Sequence, residues 1–321
     1  MGNYPTSLFI NTNNTIYVVN AEKNRTLVWD VDSNIMTNII YGTFKNPWSL
    51  FVTSNGDIYI DDGDEKRRVQ KWVAENETFV TVMNIDSSCQ GLFVDTNDTI
   101  YCSISSKHQV VKKSMNDPKM TSNIVAAGTD CRGSDLISLD EPRGIFVDVN
   151  FDLYVADCGN NRIQLFQSGE STGITVAGDR SPNPTISLSC PSGIVLDTEK
   201  YLFILDRDNH RIVGSSSNGF RCLIGCYGPG FKSNQLFYPG SFSFDRYGNI
   251  FVADWANHRI QKFQYLKSCS RKLIKILLAS FVLRIRFSQM IFFRLRRNRF
   301  LLYFLLNSRD FVILKIQVPL V

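Results

Sequence analysis

Three histidines are the residues with the most chemical potential in this chain: His108, His210 and His258. Each sits seven residues after an aromatic residue, Tyr101, Phe203 and Phe251. A zinc site needs ligands that converge on one point. One position repeated along a chain places its copies apart, so this spacing points to a packing and hydrogen-bonding role before a following strand. Aspartates recur too, at Asp62, Asp157, Asp206 and Asp254, three after the aromatic. Arg162, Arg211 and Arg259 follow the last three of these by five residues, a spacing that suits a charge-assisted pair. Arg25 and Arg67 or Arg68 stand in the corresponding place earlier in the chain. Asp95, Asp148, Asp197 and Asp245 are expected to cap turns through their carboxylates. No Ser-His-Asp order, Gly-x-Ser-x-Gly, phosphate loop or paired catalytic carboxylate stands out. Neither a catalytic residue nor a metal ligand nor a cofactor is assigned.

These residues are registered because the chain repeats. The pattern Pro-x-small, three apolar residues and Asp, a short turn, then Tyr/Phe, two apolar residues and Asp occurs six times. The copies begin at Pro5, Pro47, Cys89, Pro142, Pro191 and Pro239, each twelve residues before its aromatic. Successive aromatics are 42, 42, 53, 49 and 48 residues apart, a period that fits four short strands. Turns such as Asn55-Gly56 and Asn97-Asp98 close hairpins, because Asn and Gly accept positive φ at low cost. A third apolar run follows the Arg, and a fourth ends at Gly, as in IVAAG from Ile124 and ITVAG from Ile174. Six such units predict an all-β, six-bladed propeller of four-stranded blades over residues 1–266.

The runs DRDNHRI from Asp206, DWANHRI from Asp254 and DCGNNRI from Asp157 resemble the NHL-repeat family. The resemblance covers residues 5 to about 265 and is weakest in the third copy, where Ile104 replaces the Asp and no Arg follows. It implies a six-bladed propeller. It does not imply an activity, because propellers of this kind serve as binding modules, lactonases and lyases. The expected function is a non-enzymatic scaffold that binds a protein or peptide partner. The face bearing the blade-to-blade loops, such as TDCRGSDLISLDE from Thr129 and YGPGFKSNQLFY from Tyr227, is the expected surface. The alternatives are a metal-dependent hydrolase or lyase with its site in the central channel, a membrane-attached receptor-like propeller, and the substrate-recognition part of a ubiquitin-ligase system.

Charge divides the chain. Residues 267–321 carry twelve Lys/Arg and one acid, while residues 1–266 carry 23 basic and 29 acidic residues, a net of −6. That balance argues against nucleic acid as the partner. The tail is basic and apolar, with Lys275, Arg284 and Arg286 inside its first long hydrophobic window. It reads as a membrane-surface segment, a marginal transmembrane helix or translated non-coding sequence. By spacing, residues 273–278 (LIKILL) are candidates for the outer strand of blade six. The propeller is expected to be monomeric and to close by packing between its first and last blades. The opening MGNYPTSLFI has no charged stretch followed by an apolar one, so no signal peptide is expected in it.

Eight cysteines and four sequons favour an extracellular or luminal location over the cytoplasm. Cys222 and Cys226 are a candidate disulfide, and Cys131, Cys158 and Cys190 are expected to cluster around blade four. Asn13, Asn24, Asn76 and Asn97 are candidate glycosylation sites.

Overall fold

Each repeat folds into one four-stranded antiparallel sheet, in chain order from the innermost strand outward. The computed structural model describes residues 4–117, 122–181, 186–266, 292–293, 302–303 and 312–317. Blade one comprises Pro5–Ile10, Thr15–Asn20, Arg25–Asp30 and Ile35–Tyr41. Blade four comprises Pro142–Val147, Leu153–Asp157, Arg162–Phe166 and Ile174–Gly178. The innermost strands of blades two, three, five and six are Leu50–Val52, Gly91–Val94, Pro191–Leu196 and Ser241–Phe244. The fold is therefore the expected all-β six-bladed propeller. No strand is exchanged between blades one and six: the first sheet is built wholly from the N-terminal segment. The fourth strand of blade six is Val312–Gln317, paired with Arg259–Leu266. The expectation of an outer strand at 273–278 lies outside the described residues.

Strand alternation puts one apolar face of each blade against the next. Leu8, Val18 and Phe251 pack at the junction of blades one and six. Tyr59, Met83, Leu92 and Ile100 pack between blades two and three. Between them the described residues form six such clusters, one per junction, so the ring closes by packing without an exchanged strand. The small residue of the repeat has a steric reason. A Cβ on Gly91 would meet the Arg143 carbonyl, and one on Gly144 would meet the Ser192 carbonyl. Where the position is Ser, the hydroxyl reaches the next blade: Ser49 Oγ donates to the Cys89 carbonyl and Ser241 Oγ to that of Leu8.

Candidate functional site

The registered aspartates divide into two sets. Asp95, Asp148, Asp197 and Asp245 end the innermost strands. In each, Oδ1 accepts two turn amides, as from Asn97 and Thr99 on Asp95. Asp157, Asp206 and Asp254 end the second strands. Their Oδ2 atoms accept from Arg162, Arg211 and Arg259 at 2.7 Å, and from an Asn three residues on. Their Oδ1 atoms accept the backbone N–H of Asp140, Ser189 and Phe237, which fastens the incoming loop. Blade two carries one extra residue, a short helix Gly63–Lys66. Asp62 therefore pairs with Arg68, while Arg67 takes the left-handed turn position. These carboxylates are occupied in holding loops, and among the described residues no group of three or more His, Cys, Asp or Glu converges.

The histidines clamp neighbouring blades. Asn24, Arg67, His108, Asn161, His210 and His258 share one position with φ between 50° and 55°. Asn and His tolerate that left-handed conformation better than most residues. From it the side chain reaches the start of the next blade. His108 Nδ1 accepts from Glu141 N, Asn161 Oδ1 from Cys190 N and His210 Nδ1 from Tyr238 N. At the last junction the His258 ring lies 4.1 Å from that of Tyr4, edge to face. Burial pushes the His210 imidazole below its ordinary value, which suits a ring nitrogen that accepts a hydrogen bond.

One of three disulfides reinforces such a junction. Cys158 is bonded to Cys190, joining blade four to blade five beside the Asn161 clamp. Cys131, expected to cluster with them, is instead exposed and unbonded. It lies in the loop leaving blade three, after Ile124–Gly128. Cys222 is bonded to Cys226 across a turn. A third bond, Cys89–Cys102, ties the first two strands of blade three, a blade that lacks the Asp–Arg pair. These bonds fit an oxidising environment. Of the sequons, Asn13, Asn76 and Asn97 are exposed, and Asn24 is half-buried. No helix among the described residues is long and apolar enough to cross a membrane.

The loop face has a cavity of about 280 Å3 at its centre. It is lined by one residue from each blade: Thr6, Trp48, Gln90, Arg143, Ser192 and Gly240. Each directly follows the first residue of its repeat, so the register itself could have marked them. Ser105, Arg207, Tyr238 and Trp255 complete the lining. Below the mouth, Phe9, Phe51, Phe93 and Phe146 of adjacent inner strands touch in sequence, with centroids 4.8 to 5.3 Å apart. The cup is thus apolar beneath, aromatic at the rim and cationic on one side. Arg207 stacks over Tyr238 and pairs with Asp208. Arg143 is half-buried, and burial together with the charge of Arg207 pushes its guanidinium below the ordinary value. The chemistry such a lining supports is recognition: hydroxyl and guanidinium donors beside ring faces.

No family model matches the chain, and no curated protein matches it. Solved structures do. An auxiliary nutrient binding protein from Bacteroides thetaiotaomicron is 15% identical with a TM-score of 0.63, over 81% of this chain and 69% of its own. Virginiamycin B lyase from Staphylococcus aureus is 13% identical with a TM-score of 0.56, over 81% and 80%. A chain of the nidogen/laminin complex is 18% identical with a TM-score of 0.59, over 77% and 88%. At such identities the likeness establishes the propeller fold and nothing finer.

Proposed function

We propose that this protein is an NHL-type propeller that acts as a non-catalytic binding module, holding a protein or peptide across its loop face. The observation that carries the reading is the central mouth, to whose lining all six blades contribute. Its donor set is hydroxyls, an amide and two guanidiniums beside Trp48, Trp255 and Tyr238, a composition suited to recognition. The carboxylates and imidazoles that could serve metal or acid–base chemistry are engaged in blade junctions instead. Long polar loops with exposed Leu136, Ile137 and Phe231 surround the mouth's face and add contact surface. The nidogen/laminin complex, one chain of which has a fold similar to this one, is a protein–protein assembly by its name. The disulfides and the exposed Asn13, Asn76 and Asn97 support an extracellular or luminal setting.

Selection from a random peptide display library on the immobilised full chain tests this. Enriched peptides are expected to lose binding with Trp48→Ala and to keep it with Tyr247→Ala, which lies in a hairpin turn on the opposite face. No enrichment over unfolded chain, or binding lost only with Tyr247→Ala, contradicts the reading.

A further inference from the structure

We propose that the mouth anchors its partner through a carboxylate, the side chain of an Asp or Glu in an acidic peptide, received by Arg143 with Arg207 beside it. This rests on the reading of the loop face as a peptide-binding surface and specifies its chemistry.

Arg143 differs from the arginines that pair with the repeat aspartates. Arg68, Arg162, Arg211 and Arg259 each have an aspartate within 2.7 Å. Arg143 has no ion pair among the described residues, and its Nε is buried without a hydrogen-bond partner. Across the next blade junction Ser192 Oγ is buried without a partner as well, and both residues line the cavity. Arg25 Nε is also unpartnered, but Arg25 lies outside the cavity. The charges acting on Arg143 are Arg207, which repels it, and Glu141 and Asp208. Asp208 is itself held by Arg207 at 2.9 Å. A guanidinium partly withdrawn from water without an anion carries a cost, and the fold places it where all six blades line one cavity. A carboxylate matches the planar fork of Arg in two parallel hydrogen bonds.

The size and charge of the surroundings select the anion. A cavity of about 280 Å3 takes one or two side chains. Residues 1–266 carry a net charge of −6, which disfavours a polyanion on the propeller. A single acidic side chain on a largely neutral peptide meets the guanidinium and the rings of Trp48 and Trp255 without that penalty.

The experiment uses the full chain and two fluorescent decapeptide pools with random neutral flanks. One has Asp or Glu at its centre, and the other has Asn or Gln there. The wild type is expected to bind the acidic pool about tenfold more tightly than the amide pool. In Arg143→Gln the preference falls to about unity, while the thermal midpoint stays equal or rises because a half-buried charge without an ion pair is gone. Arg207→Gln weakens the preference in part. Equal binding of the two pools by the wild type, or a preference that survives Arg143→Gln, overturns the proposal and leaves peptide binding standing. Binding of neither pool overturns both. Arg143-dependent binding of a single-stranded RNA dodecamer in place of the acidic pool also overturns it.

Discussion

Arg162 Nε donates to Asp157 Oδ2 over 2.7 Å, and the two side chains are 1% and 0% exposed. The same guanidinium donates to the carbonyls of Ser134, Asp135 and Ser138, so one side chain pins the whole loop into blade four. The equivalent Arg211 is 21% exposed, and among the described residues its guanidinium donates to the Ser187 carbonyl. Removing one partner of a buried pair strands the other. Arg162→Ala is therefore expected to cost about 3–5 kcal/mol, and Arg211→Ala less. Urea denaturation of the two variants measures the difference. Equal losses contradict the account of blade four.

The disulfides are expected to rank by the chain they close. Cys158–Cys190 spans 32 residues and Cys222–Cys226 spans 4. Chain entropy assigns about 3–4 kcal/mol to the longer loop and about 2 kcal/mol to the shorter. Replacing both cysteines of each pair by Ala, with denaturation midpoints compared, tests the order. A larger loss from the Cys222/Cys226 pair goes against it.

Asp61 supplies a pH signature. Its side chain is buried in blade two and accepts from Trp48 N and Cys89 N. Burial pushes its carboxyl up to about 7, against these backbone N–H groups, which pull it down. A carboxyl whose folded value exceeds its unfolded one contributes stability below the ordinary carboxylate range and loses it as pH rises through about 7. The difference in thermal midpoint between the wild type and Asp61→Asn is thus expected to shrink from about pH 5 to about pH 8. His210, whose value is lowered, acts in the opposite sense and cancels in that subtraction. A flat difference across the range is the contrary result.

The four sequons should not behave alike in a secretory host. Asn13, Asn76 and Asn97 project from turns. The Asn24 amide, oriented to donate, bonds the Phe44 and Ala21 carbonyls at 3.0 Å, and the residue takes the left-handed turn position. Peptide mapping is expected to find glycans at one or more of the three exposed sites and none at Asn24. A fully glycosylated Asn24 contradicts this placement.

The repeat made the propeller legible, since its prolines and aromatics keep one spacing while the loops vary. The Asp–Arg pairs were legible for the same reason. The mouth was harder to see. Thr6, Trp48, Gln90, Arg143, Ser192 and Gly240 share a position but no chemistry, and only the closed ring brings them together. Blade two hid Asp61 behind Asp62, because its extra residue shifts the network by one. Cys89–Cys102 was hidden as well: Cys89 stands where other copies have Pro, and register alone does not say that it faces Cys102.

Hydrogen exchange of the full chain, with and without a display-selected peptide, tests the central claim most directly. The account predicts slowed exchange at the backbone amides of Trp48, Gln90, Arg143 and Ser192, around the mouth. Protection confined to the hairpin turns of the opposite face, at Asn13–Asn14, Asn97–Asp98 and Tyr247–Gly248, would contradict it.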